Sequence, residues 1–318
     1  MEEKVEFKPK RTKISLLSFA VFSLVHATIL IAFFVPFSWE LVLIAVLSYY
    51  LRMFGITAGF HRYFAHNAFK TSRPMQFFFA WLGGTAMQKG ALWWGAHHRD
   101  HHRYSDTDKD LHSPKHGFWH SHMLWFLGSE HNTYDVKKIK DYAKYPELVF
   151  IDKHYWIPPL SYAFMLYGLG YAFGGQNHLY AFSVLTWGYA VSTFFLGHGT
   201  WTINSLSHVF GKQRYTTGDT SRNNFLLALV TMGEGWHNNH HYYRHTANQG
   251  FYWYEVDMSY YILKMMSWIG LVWDLKTPPV RILEEGKRLD AIQKGQEKFK
   301  NLSGEWIPVH SVTANSER

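Results

Sequence analysis

Two long stretches of this 318-residue chain are almost free of charge, and they constrain the fold more than any other feature. Between Ile14 and Leu51 the only acidic or basic residue is Glu40, and between Tyr155 and Gly211 there is none. A crossing of the hydrocarbon core of a bilayer takes about 20 predominantly apolar residues. The first stretch holds two such segments, roughly Ser15 to Pro36 and Trp39 to Phe60, joined by a short loop. The second holds two more, Trp156 to about Gly174 and Leu179 to about Thr202, separated by the turn-forming run Gly174-Gly175-Gln176-Asn177. The chain thus reads as an all-α integral membrane protein with four transmembrane helices in two hairpins. Core helices of a water-soluble all-α protein are the competing reading, but charge-free runs of this length are rare in water-facing helices.

The flanks set the orientation. Lys4, Lys8, Lys10, Arg11 and Lys13 precede the first span, whereas the two hairpin turns carry no Lys or Arg. By the excess of basic residues on the cytoplasmic side, both turns face away from the cytoplasm, and both termini and the central segment face it. The first apolar run is too long for a cleavable signal peptide and shows no small-residue cleavage site. Met75 to Ala96 is apolar but contains Gly83-Gly84, Gln88, Lys89 and Gly90, and is read as a helix lying in or just beneath the interface. Phe251 to Trp273 reads as a second aromatic, amphipathic stretch on the same side, and the tail from Glu284 as a charged helix with a disordered end. The expected organisation is a basic N-terminus (1–13), a first hairpin (14–60), a first cap segment (61–154), a second hairpin (155–204), a second cap segment (205–283) and a C-terminal helix and tail (284–318). The net charge of +8 is accounted for by this topology, and no nucleic-acid-binding motif is present.

Composition now narrows the chemistry. The chain has no cysteine, which excludes disulfide scaffolds, thiolate nucleophiles, Cys-containing zinc sites and protein-ligated iron–sulfur clusters. It has 21 histidines, and imidazole is the commonest metal ligand. Four clusters lie at or beyond the cytoplasmic ends of the expected spans: His61 with His66; His97, His98, His101 and His102; Asn204 with His208; and His237, His240 and His241. Residues at i, i+3 and i+4 share a helix face. His98, His101 and His102 are therefore expected to converge on one point, as are His237, His240 and His241, with Asn204 one turn before His208. His97 and His101 also stand four apart; His98 is preferred because it completes a triad matching the one at His237. Nine histidines and one amide exceed what one tetrahedral ion needs, so a two-metal centre is inferred. The donor set favours iron among redox metals, while affinity alone does not exclude copper or zinc. His112, His116, His120, His122, His131, His178, His198 and His245 are set aside as non-ligands.

The motif text Gly55-Ile-Thr-Ala-Gly-Phe-His-Arg-Tyr-Phe-Ala-His66, His98-Arg-Asp-His-His102, Asn204-Ser-Leu-Ser-His208 and Gly233-Glu-Gly-Trp-His-Asn-Asn-His-His241 resembles that of the membrane fatty-acid desaturases, most closely the Δ9 acyl-CoA (stearoyl-CoA-type) group. The resemblance runs in order from about Leu41 to Trp273. It implies four membrane helices below a cytosolic cap that holds two Fe ions, with O₂ as co-substrate and no haem or flavin in the chain. Carried over by position, the iron ligands are His61, His66, His98, His101, His102, His208, His237, His240 and His241, with Asn204 joining through a water. The implied activity is insertion of a cis double bond at Δ9 of a saturated C16/C18 acyl chain lying in a bent hydrophobic tunnel. Gln88, Thr200 and Trp201 occupy positions expected to bend that tunnel. Tyr49 and Met53, an i, i+4 pair below the first cluster, are candidates to close its end; ordinary helix packing accounts for them equally well.

One departure concerns the carrier. Where the animal acyl-CoA enzymes carry basic residues suited to a CoA phosphate, this chain reads Leu127-Gly-Ser-Glu-His131, and only Lys137, Lys138 and Lys140 follow. Acyl-CoA is favoured, with acyl-lipid and acyl-carrier-protein esters open. No haem-binding segment or Cys cluster is visible, so electrons are expected from a separate donor such as cytochrome b5 or ferredoxin, for which a basic cytoplasmic face is suited. Two other readings compete. A related di-iron hydroxylase shares the histidines but inserts oxygen, and a membrane metal transporter needs charged groups inside its spans, which Tyr155 to Gly211 lacks.

Overall fold

The computed structural model describes residues 13–310; the basic N-terminus ahead of Lys13 and the residues from 311 onward lie outside the described part. The main helices in chain order are α1 (Leu16–Phe34), α2 (Trp39–Ala65), α3 (Arg73–Gly84), α4 (Ala91–Tyr104), α5 (Pro146–Lys153), α6 (Ile157–Phe173), α7 (His178–His208), α8 (His237–Tyr242), α9 (Met258–Trp268) and α10 (Val280–Gln293). Several starts are written locally. The hydroxyls of Ser15, Ser38 and Ser72 accept the N–H groups of Ser18, Leu41 and Met75 at 3.3, 3.3 and 3.4 Å, and Asn177 Oδ1 accepts those of Leu179 and Tyr180. Each satisfies a donor that the first turn leaves without an intrahelical partner.

α1, α2 and α7 are long and apolar enough to cross a membrane. None of the α1 side chains is buried, and Leu16, Phe33 and Phe34 are more than four-fifths exposed. So continuous an apolar surface marks an interaction face, and on a helix of this length it fits lipid. α6 has 17 residues and spans about 26 Å at 1.5 Å per residue. It folds back on α7 so closely that a Cβ at Gly170 would lie 2.9 Å from the Ala181 Cα.

The functional half of α2 is held from the side by α3. The two helices cross at glycines: a Cβ on Gly55 would stand 2.7 Å from the Gly83 nitrogen, and one on Gly83 would stand 2.4 Å from the Phe60 ring. Around this crossing Met53, Phe60, Phe64, Phe79, Leu82, Leu92, Ile139 and Leu263 form one buried core. Burying each such side chain is worth about 1.5–3 kcal/mol.

Three segments differ from expectation. Met75 to Ala96 is two helices, α3 and α4, separated by a turn in which Met87 and Lys89 take φ of 60° and 67°. Asp152, distant in sequence, starts the second: its Oδ1 accepts the N–H groups of Leu92 and Trp93 at 2.9 and 3.0 Å. Phe251 to Trp273 contains α9 and then β2 (Val272–Trp273), which pairs antiparallel with β1 (Lys70–Thr71). In the tail, α10 begins at Val280 rather than Glu284, and the chain beyond it forms a hairpin of β3 (Lys298–Lys300) and β4 (Trp306–Pro308). Phe299 anchors this hairpin by packing with Ala291 and Val309.

Candidate metal centre

His61 and His66 stand five residues apart, a spacing that places them on different sides of an α-helix. The structure resolves this by widening the helix: Gly55–Ala65 is π-helical, and the His66 N–H reaches the His61 carbonyl at 3.2 Å. The i→i+5 bond returns the chain to the same side after five residues, so both rings face one point.

The nine expected histidines gather in two groups. In one, a ring nitrogen from each of His61, His66, His98, His102 and His240 lies within 4.8 Å of all the others; in the second the same holds for His101, His208, His237 and His241. The two triads are therefore not each aimed at one point, as the spacing had implied. α4 sends His98 and His102 to the first group and His101 to the second; α8 sends His240 to the first and His237 and His241 to the second. At about 100° per residue, i+4 lies some 40° to one side of i while i+3 lies some 60° to the other. Each helix thus stands between the two groups and serves both. Asn204 closes the straight part of α7 one turn before His208 and is half-buried. His97 lies in neither group, its Nδ1 accompanying the Trp93 carbonyl of its own helix at 2.9 Å. His112, set aside above, stands beside His101 and Asp110 in a third grouping that shares His101 with the second.

The inner nitrogens are crowded in a way that hydrogen bonding does not satisfy. His98 Nε2 lies 3.0 Å from Nε2 of both His66 and His102, and His240 Nε2 lies 3.0 Å from His61 and 2.9 Å from His102. Burial, and after it the neighbouring histidines, push His66, His98, His102, His237 and His240 well below the usual histidine pKa. The rings are thus neutral at pH 7, each with one N–H and one lone pair. In the second group His241 Nε2 is buried without a partner while its Nδ1 meets Asp219 at 2.7 Å. Lone pairs converging from neutral rings are what a cation would satisfy, so the donor set fits metal ions in both groups.

Carboxylates orient the rings from behind. Glu234 meets His61 Nδ1 at 2.5 Å, Asp110 meets His101 Nδ1 at 3.1 Å, and Asp106 stands 3.4 Å from His208 Nδ1. Burial works to raise these acids, but His101 and His112 hold Asp110 well below the carboxylate range, as His208 does Asp106 and His241 does Asp219. None of the four acids was singled out from sequence, where only Glu234 falls inside a quoted motif. Between the α8 histidines, Asn238 Oδ1 accepts the N–H groups of Arg214 and Tyr215, and Asn239 Nδ2 donates to Glu255, fixing the helix that serves both groups.

Four of the five expected tunnel residues lie close to one another. Gln88 Nε2 donates to Thr200 Oγ1 at 3.0 Å, and Thr200 stands 3.9 Å from Met53 Sδ. Tyr49 and Met53 both face Gly199, and the Tyr49 hydroxyl donates to the Val230 carbonyl at 2.8 Å. Trp201 packs elsewhere on α7, against Phe126, His198, Phe22 and His26. Trp94, unassigned from sequence, stacks on His98 with ring centroids 4.8 Å apart. Lys137, Lys138 and Lys140 line a cleft of about 360 Å³ with Arg99 and Arg103, where Lys138 pairs with Asp100.

Residues 37–268 match the fatty acid desaturase family, which covers well over half of the chain. The chain belongs to the fatty acid desaturase family. Among its relatives, a chloroplastic palmitoyl-monogalactosyldiacylglycerol delta-7 desaturase of Arabidopsis thaliana is 38% identical over 263 residues, 81% of this chain and 68% of the relative. An acyl-CoA 5-desaturase of Anemone leveillei is 36% identical over 252 residues, 76% of this chain and 74% of the relative. A delta-9 acyl-lipid desaturase of Arabidopsis thaliana is 37% identical over 263 residues, 80% and 81% of the two chains. This desaturase is therefore an oxidoreductase of fatty acyl chains and a membrane protein, from a family that uses iron. Its relatives differ in both the bond they oxidise and the carrier of the chain.

Proposed function

We propose that the protein inserts a cis double bond at Δ9 of a saturated C16/C18 acyl chain carried on CoA. It does so with two irons, one in each histidine group, O₂ as co-substrate and electrons from a separate donor such as cytochrome b5 or ferredoxin. The observation that carries this reading is the convergence of nine histidines on two points; Asn204, one turn before His208, joins through a water in this reading. Two irons there would supply, with O₂, an oxidant able to take hydrogens from unactivated methylenes, which no side chain does as an acid or base. The chain's own residues do the rest. α4 and α8 fix the spacing of the two groups, and Trp94 covers His98 against water. In this reading the Gln88–Thr200 bond braces the bend of a hydrophobic tunnel, and Tyr49 and Met53 close its end.

In this reading the four spans are α1, α2, α6 and α7, with both termini and the metal centre cytoplasmic and the hairpins occupying 14–60 and 155–204. Carriage on CoA draws on Arg103, Lys137 and Lys140 as cations for its phosphates. A glycerolipid ester is the second reading, favoured by the delta-9 acyl-lipid relative.

Expression in a desaturase-deficient host, with analysis of fatty-acid methyl esters, tests the function. A new cis-9 monoene is the expected product; a hydroxylated chain would mean a hydroxylase instead, and unchanged lipids in the presence of an active donor would sink both. Supplying the purified enzyme with stearoyl-CoA or with a stearoyl glycerolipid separates the carriers. Shortening the proposed tunnel stop by Met53→Ala should extend the accepted chain by about two carbons, and an unchanged chain-length profile would remove Met53 from that role.

A further inference from the structure

The two histidine groups are alike in their donors and unlike in what stands behind them. Each offers neutral imidazoles, and each contains one histidine, His240 or His237, whose Nδ1 is buried without a partner. Behind the second group stand three carboxylates: Asp110 on His101, Asp106 near His208 and Asp219 on His241. Their hydrogen bonds include neutral donors. Asp110 receives the N–H groups of Asp106 and His112, Asp106 receives the N–H and hydroxyl of Thr220, and Asp219 receives the Ser221 N–H and the Thr217 hydroxyl. Behind the first group the carboxylate on an outer ring nitrogen is Glu234 at His61, and its charge is shared with Arg62 at 3.0 Å.

We infer that the three aspartates make the two metal positions unequal, the His101/His208/His237/His241 position being the one of lower reduction potential. The inference rests on the two-iron reading above. An imidazole that donates its outer N–H to a carboxylate is a stronger donor toward a metal, and nearby negative charge favours the more positive oxidation state. The fifth imidazole of the first group is neutral and adds no such charge. With iron bound, a first electron from the donor would be favoured at the His61/His66/His98/His102/His240 position, and a second at the position backed by aspartates. Asp106, Asp110 and Asp219 act as positioning residues, through the rings they touch.

The test is a reductive titration of the full-length, iron-loaded enzyme in detergent, followed by Mössbauer spectroscopy of ⁵⁷Fe. Two resolved one-electron steps are expected. Asp219→Asn should raise the lower step by roughly tenfold in its equilibrium constant, about 59 mV for one electron, and so draw the steps together. Glu234→Gln should raise the upper step and spread them apart. Loss of one iron of the two to a chelator should quicken by roughly 10–100-fold in Asp219→Asn. A general loosening of the fold would move both steps together and cannot narrow the interval in one variant and widen it in the other. Asp110→Asn, in the same group, repeats the test if Asp219→Asn does not fold. One unresolved step in the unaltered enzyme, or the same change of interval in both variants, overturns the inference. A single iron, or zinc, in the purified protein would instead overturn the two-iron reading on which it stands.

Discussion

His240→Ala should lower desaturation by at least a hundredfold and leave the purified protein with about half of its iron. His240 has no solvent exposure, and its Nε2 lies 3.0 Å from His61 and 2.9 Å from His102, so it stands at the middle of the first group. Substitution of groups that only touch a metal's ligands already costs roughly 10–100-fold in affinity or activity. Removing a proposed ligand should cost at least as much and opens a cavity among the remaining imidazoles. Metal analysis beside the methyl-ester profile separates this from misfolding, because the second group shares no histidine with the first. His97→Ala supplies the contrast. It lies one residue from His98, but its ring is turned to its own helix at Trp93, and its loss should leave iron content and product within twofold. Full iron and full product in His240→Ala would mean that the cluster does not hold metal as proposed.

Much of that site was visible before any coordinates, because histidine spacing is a local property and the helix period converts it directly into a face. What spacing does not reveal is where the face points. His98, His101 and His102 share one side of α4, yet the fold inserts α4 between two foci and divides them, a division that depends on where α2, α7 and α8 lie. Two of the carboxylates were hidden for a related reason. Asp219 reaches His241 across 22 residues and Glu234 reaches His61 across more than 170, so no window of sequence holds both partners. The break between α3 and α4 depends likewise on Asp152, about 60 residues away. The starts of α1, α2 and α7 fall within a residue of where the sequence put the spans, because their capping atoms on Ser15, Ser38 and Asn177 lie within three residues of the donors they serve. The C-terminal hairpin was not, because its anchor Phe299 is one aromatic in a charged run and packs on residues from both sides of it.

Burial also decides the second large effect, at the residue next to His61. Arg62 has no exposed surface; its guanidinium contacts Glu234 at 3.0 Å, Asp257 at 2.9 Å and the Ala247 carbonyl at 2.6 Å. Asp257 in turn accepts the N–H groups of Gln249 and Tyr260, and Glu234 is the carboxylate that orients His61. Arg62→Met keeps the bulk and removes the charge, leaving two buried carboxylates facing each other's field without a cation. Breaking a buried pair in this way costs roughly 3–5 kcal/mol, and at about 2–4 °C per kcal/mol for a large domain the Tm should fall on the order of 10 °C. Arg73 and Glu147 form a bidentate pair with shorter contacts, 2.6 and 2.7 Å, but the Arg73 side chain is 61% exposed, and Arg73→Ala should leave Tm nearly unchanged because water screens the pair. Thermal unfolding in detergent of both variants beside the unaltered protein measures the difference. Adding Asp257→Asn to Arg62→Met should return part of the lost stability, since one of the two stranded charges is then gone; a double variant no more stable than the single one would show that Arg62 acts through shape and not through charge. The same measurement bears on the metal centre, because Glu234 freed of Arg62 keeps His61 Nδ1 as its partner and should then hold that ring more tightly, raising the affinity of the first histidine group even as the fold weakens.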